Sequence, residues 1–263
     1  MRKSKKKNTV RAKQGAGVLQ YKTYEMNLQE KVCCIGKGCV LLGVVSYLFY
    51  QSIAAFFFLL PFLYFYMRKE KLRLMKKRRQ ILQREFKEGI EALQAALDTG
   101  YSIENAFSEA CRDLKMLYPE GSYITMEFGR IVQGIRMNKT VEYMLVDFGE
   151  RSGLDEIQNF AEIFTIAKKS GGDMILIIHS TVQTIREKIE VQGDIETMKS
   201  GKRFEQRIMN LIPFGILLYV KFTSGQMMEV LYGNFLGVFI MTGCLGMYLL
   251  AVWLAQRIVS VEV

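Results

Sequence analysis

Half of the 263 residues are hydrophobic and the formal net charge is +10, a composition slightly too apolar for an ordinary soluble protein that leaves a membrane location open. The charge is uneven: residues 1–79 hold 18 Lys and Arg against three acids (Glu25, Glu30, Glu70), while residues 80–263 hold 18 against 23. The basic excess therefore belongs to segments flanking apolar runs, where fixing topology and contacting anionic headgroups explains it, so membrane lipid is expected as a partner and nucleic acid is not.

Residues 1–31 form a basic arm, with Lys3, Lys5, Lys6 and Lys7 at its start. About thirty polar residues precede the first apolar run and no small-residue cleavage pattern follows, so the N-terminus is expected to be retained. From Gly38 to Met67 there are thirty residues without a charge, and Val32 to Gly36 extend the run upstream of Lys37. At about 1.5 Å per residue this exceeds one crossing of a roughly 30 Å hydrocarbon core. Two short crossings fit better, at 32–49 and 52–67, with Tyr50, Gln51 and Ser52 turning outside. Lys37 then snorkels to the headgroups, and Pro61 kinks the second helix.

The central region, 72–207, contains one proline, Pro119, and no convincing period-two alternation, so it reads as all helix. Apolar residues recur at helical spacing in six segments. The first holds Leu82, Phe86, Ile90, Leu93 and Leu97, and the second Ile103, Phe107, Ala110, Leu114 and Leu117. The third holds Ile124, Phe128, Ile131 and Ile135, and the fourth Val141, Leu145 and Phe148. Leu154, Ile157, Phe160 and Phe164 mark the fifth; Ile178, Val182, Ile185 and Ile189 mark the sixth. Gly100 is expected to end the first helix and Ser102 to cap the second. Asn138 and Thr140 do the same for the third and fourth, and Gly171, Gly172 and Asp173 for the fifth and sixth. Such short connections predict an antiparallel six-helix bundle. Gly100-Tyr-Ser-Ile-Glu-Asn-Ala-Phe107 and Asn138-Lys-Thr-Val-Glu-Tyr-Met-Leu145 also form a weak repeat, offset by 38 residues.

Nothing in this region assembles into a catalytic, cofactor or metal site. The five cysteines (Cys33, Cys34, Cys39, Cys111, Cys244) contain no CxxC pair and read as apolar filler. The single histidine, His179, has no Cys or carboxylate at ligand spacing and reads as a packed or partly exposed residue. No P-loop, GxGxxG after a strand, HExxH or GxSxG occurs. The carboxylates Glu85, Glu88, Glu91, Glu104, Glu109, Asp147, Glu150, Asp155, Glu156 and Glu162 read as solvated helix faces; the sharper alternative is docking of a partner or a divalent cation. Arg73, Lys76, Lys77, Arg78 and Arg79 read as headgroup contacts.

Beyond the bundle, Ile208–Phe222 is apolar but interrupted by Asn210, Pro213 and Lys221, and Phe235–Ala255 is a 21-residue run without a charge. Both are expected to cross the bilayer, forming a second hairpin over 208–256, the alternative for 208–222 being a buried or interfacial helix. Nine basic residues in 1–31 and ten in 68–87 orient both segments to the cytoplasm. An even number of crossings between them follows. Four crossings, two on each side of a cytoplasmic bundle, then leave both termini and the tail 257–263 inside.

Several ordered motifs go further. Gly100–Phe107, Phe148-Gly-Glu-Arg-Ser-Gly-Leu154, Ile166-Ala-Lys-Lys-Ser-Gly-Gly-Asp-Met174, and Tyr232-Gly-Asn followed by a long helix and Arg257-Ile-Val-Ser-Val-Glu-Val263 resemble the type II secretion system F family. Within it the chain is most similar to the TadB/TadC-like platform proteins of tight-adherence (Flp-type) pili, over about residues 32–263. The resemblance implies a non-enzymatic, multi-pass scaffold of the bacterial cytoplasmic (inner) membrane. It also implies a hexameric secretion ATPase and pilin or pseudopilin subunits as partners. Because the chain has one bundle where many members have two, a paralogous platform subunit or a second copy would complete the platform. The matching positions are Gly100, Ser102, Gly149, Gly153, Lys168, Ser170, Gly171 and Gly172. Helix stops and tight packing account for them at least as well as partner contact does. The competing readings are a membrane-bound enzyme or sensor with its site in the bundle, and a transporter, which the lack of intramembrane charges other than Lys37 and Lys221 disfavours.

Overall fold

A computed structural model describes residues 21, 28–49, 53–118, 121–170, 174–223 and 235–261. Among them are eight α-helices and no strand: α1 Leu28–Phe49, α2 Ile53–Asp98, α3 Ile103–Leu117, α4 Tyr123–Arg136, α5 Val141–Ser152, α6 Asp155–Ser170, α7 Met174–Thr223 and α8 Phe235–Val261. The chain divides into two compact units, one containing Tyr21 and Leu72–Val191, the other Met26–Lys71 and Gln192–Val263. The expected boundaries at 72 and 207 fall inside α2 and α7, which run through them without a break. For α2 the reason is local: residues 68–79 consist of Arg, Lys, Glu, Leu and Met, all strong helix formers. Pro61 and Pro213 are likewise carried inside helices.

The first unit is organised by one apolar core, to which α2 through α7 all contribute. Six buried phenylalanines form a continuous series of ring contacts: Phe148 to Phe86 at 6.1 Å, Phe86 to Phe160 at 5.9 Å, Phe160 to Phe164 at 6.1 Å, Phe164 to Phe107 at 6.3 Å and Phe107 to Phe128 at 5.7 Å. Edge-to-face and tilted pairs of this kind add to the burial of each ring. The helical spacing anticipated each of these six residues. Leu117 is a correction: it is 64% exposed beside Met116, at the last residue of α3.

The two turns of the repeat have the same backbone solution. After α2, Gly100 (φ 90°) donates its N–H to Leu97 O at 2.9 Å, and Tyr101 donates to Ala96 O at 3.3 Å. After α4, Asn138 (φ 60°) donates to Ile135 O and Lys139 to Gly134 O, both at 3.0 Å. Both are Schellman stops, with a left-handed residue closing the helix. Asn serves where Gly would, because its short polar side chain tolerates that conformation. The caps differ: the Thr140 oxygen accepts from the Tyr143 N–H at 3.4 Å, whereas Ser102 has cap geometry without a side-chain bond. Ser122, which the sequence reading passed over, caps α4 by accepting from the Thr125 N–H at 3.3 Å.

In the second unit α1 packs on α8, and a small cluster of Phe49, Met241 and Leu245 gathers Val45, Phe214 and Leu217. The Tyr248 hydroxyl donates to Asn210 O at 2.9 Å. A side chain at Gly38 would run into Leu63, so glycine permits α1 and α2 to approach there. Gly237–Ile258 is, among the described residues, the one helix stretch long and apolar enough to cross a membrane. The uncharged stretches inside α1, α2 and α7 are shorter: Gly38–Phe49, Ile53–Met67 and Ile208–Val220.

Candidate functional site

The residues singled out by the motifs lie at helix corners and do not converge on one place. Gly100 and Ser102 form the α2–α3 corner just described. Gly149 and Gly153 form the α5–α6 corner. There Gly153 adopts φ 61° and ends α5, while Gly149 is buried with its face 3.2 Å from Gln158 Cα, measured from where a Cβ would sit. Its carbonyl accepts from the Gly153 N–H at 3.2 Å, the Ser152 hydroxyl at 2.8 Å and Gln158 Nε2 at 3.4 Å. The buried Ser152 hydroxyl also accepts from the Leu154 N–H at 3.2 Å. The Gly149-to-Leu154 stretch is thus spent on bringing two antiparallel helices close, and a Cβ at 149 would press on Gln158 and push them apart by a few tenths of an ångström.

Lys168 lies at the other end of the same helix pair. Its Nζ is 2.9 Å from Glu142 Oε1 in the first turn of α5. Partial burial works against the Glu142 charge, but its own backbone N–H and Lys168 outweigh that and hold its carboxyl below the ordinary value, as an acid at a helix N-terminus should be. Ser170 ends α6. Gly171, Gly172, Asp173 and the Tyr232-Gly-Asn segment lie outside the described residues, as do Lys3, Lys5, Lys6, Lys7, the Tyr50-Gln51-Ser52 turn and Pro119.

Three groups of charges depart from the sequence reading. Arg78, expected among headgroup-contacting residues, is 6% exposed, and its guanidinium lies 4.7 Å from the centroid of Tyr21 and 5.2 Å from that of Tyr123. Glu85 and Glu156, expected on solvated faces, are buried. Glu85 accepts the Ile124 N–H of the first turn of α4 at 3.1 Å, satisfying one of the donors a helix start leaves open. Glu156 pairs with Lys188 of α7 at 2.9 Å. Glu127, only 1% exposed, was not anticipated at all: Arg151 of α5 grips it bidentately at 2.9 and 2.8 Å and reaches Asp147 with Nε at 2.7 Å. Burial opposes the Arg151 charge, yet Glu127 and Asp147 outweigh it and make the guanidinium more basic than usual. Removing one member would strand its partner in a poorly solvated place.

The remaining chemistry-bearing residues are dispersed. His179 is exposed on α7, and the cysteines are free thiols, buried at Cys34 and Cys111, half-buried at Cys39, exposed at Cys33 and Cys244. An open hollow of about 420 Å³ is lined by Glu88, Ala92, Asp113, Leu114, Met116 and Leu117, with Tyr118 donating to Glu88 at 2.6 Å on its margin. Among the described residues no group of three or more His, Cys, Asp or Glu comes together at metal-binding range. Comparison with family models, with curated proteins and with solved structures finds no match.

Proposed function

We propose that the chain is a membrane platform of the type II secretion system F kind, closest to the Tad-type pilus scaffolds. In this reading four crossings, at 32–49, 52–67, 208–222 and 235–255, flank an antiparallel six-helix bundle on the cytoplasmic side, with both termini inside. The bundle receives force from a hexameric secretion ATPase and the apolar helices pass it to pilin, a coupling of conformations in place of bond chemistry. A second copy or a paralogous subunit completes the platform.

The observation that supports it best is the use made of the motif residues. Gly100, Gly149, Ser152 and Gly153 are committed to helix stops and close helix contacts, which is what a force-bearing scaffold asks of them. The stretch Gly237–Ile258, long and apolar enough to cross a bilayer, supports a membrane anchor.

The test is binding of the full chain in lipid nanodiscs to the secretion ATPase of the same organism. Co-migration on size exclusion is expected, and its failure across such ATPases removes the proposal. Reporter fusions at Gln51 and Gly233 are expected to report from outside the membrane, and an inward report at either breaks the four-crossing arrangement.

A further inference from the structure

Tyr21 is one residue of the N-terminal arm, yet it is completely buried, within the unit that holds the phenylalanine core. We propose that this unit carries a tyrosine-recognition socket built by α2, α4 and α5, and that Tyr21 fills it in cis, latching the basic arm to the helices.

Each part of a tyrosine finds a matched partner. The ring meets Tyr123 edge-on, with centroids 5.8 Å apart and planes at 82°, and Arg78 lies over its face. The hydroxyl donates to Glu127 Oε1 at 3.0 Å, and the main-chain N–H donates to Arg151 O at 3.0 Å. The acceptor is pre-oriented, because Arg151 holds both Glu127 oxygens and is itself held by Asp147. Such second-layer support fixes a recognition group before its ligand arrives. Arg78 completes the argument: its Nε and Nη2 are buried without a hydrogen-bond partner. The two tyrosine rings are therefore its main compensation, a desolvated cation–π arrangement. Phenylalanine could supply the ring but not the donor to Glu127, so the socket discriminates by the hydroxyl.

The occupant sits on a strongly basic tether. Residues 1–20 hold seven Lys and Arg and no acid, and six residues separate Tyr21 from Leu28, where α1 starts. The inference stands independently of the platform reading.

The test uses the full chain in nanodiscs and a labelled peptide of residues 15–27, followed by fluorescence anisotropy. The Tyr21→Ala chain, its socket vacated, is expected to bind the peptide. The unsubstituted chain is expected to bind it on the order of a hundredfold more weakly, because the tethered Tyr21 competes at millimolar effective concentration. A peptide carrying Tyr21→Phe should bind about tenfold or more worse, and one carrying Tyr21→Ala not at all. Equal binding to both chains, equal binding of all three peptides, or no binding to a Tyr21→Ala chain of native helix content overturns the proposal. Should Tyr21→Ala fail to fold, the Tyr21→Phe chain decides: trypsin should cut after Lys22 about tenfold faster than in the unsubstituted chain, since cleavage follows the open population. Equal rates overturn the latch.

Discussion

The two units bury their apolar side chains in opposite ways. In the unit of Leu72–Val191, Phe86, Phe107, Phe128, Phe148, Phe160 and Phe164 all turn inward to one core. In the other, Leu211, Phe239, Met247, Leu250 and Trp253 are exposed, and among the described residues the buried cluster consists of Phe49, Met241 and Leu245. A stripe of apolar residues on a helix calls for a protein partner; an apolar surface all round calls for a lipid one. The contrast lies in how leucine and phenylalanine are distributed, since both units have plenty of each.

The comparison can be broken at its strongest point first. Phe107→Ala is expected to cost about 3–5 kcal/mol in denaturant unfolding of the full chain, because the ring is fully buried against Phe128 and Phe164 and its removal leaves a cavity. Phe239→Ala, exposed on α8, should cost almost nothing by the same assay. Leu250→Arg comes next: a charge in mid-α8 should oppose insertion by about 2.5–3.5 kcal/mol, read as a change in the side of the membrane from which a reporter fused after Val263 responds. A silent Leu250→Arg would remove lipid as the solvent of that helix. Gly149→Val is expected to cost about 1–3 kcal/mol by forcing α5 away from Gln158, with native helix content retained by circular dichroism.

The smallest effect tests the Lys168–Glu142 pair. The carboxyl is held below its ordinary value in the folded chain, so the pair contributes above the unfolded value near 4.3 and is lost as pH falls through the lowered one. Both side chains are partly exposed, which limits the contribution to at most ~1 kcal/mol. Lys168→Ala should therefore differ slightly from the unsubstituted chain at pH 7, and the two should converge in acid, measured by urea unfolding at each pH.

Much of the first unit was legible because helical periodicity and cap chemistry are local. The six phenylalanines, the stops at Gly100 and Asn138 and the cap at Thr140 each follow from residues within a turn or two. Ser122 was legible in principle, since a hydroxyl residue directly precedes the third apolar segment. The Tyr21 socket was not. A lone tyrosine in a basic arm has no periodic neighbours to mark it as buried. Glu127 and Arg151 are 24 residues apart, and a charge carries no local sign of a distant partner. Arg78 was hidden by its company, being one of a basic run whose other members need no burial. The change of composition near residue 72 falls where the two units divide, while α2 itself runs on through it.

The series of six rings has a mechanical consequence. Phe148 belongs to α5, Phe86 to α2, Phe160 and Phe164 to α6, Phe107 to α3 and Phe128 to α4, so five helices meet through a relay of flat, stiff groups. Close-packed interiors compress very little, and no flexible methionine interrupts this series. A load applied to any one of these five helices therefore has a path to the others through ring contacts.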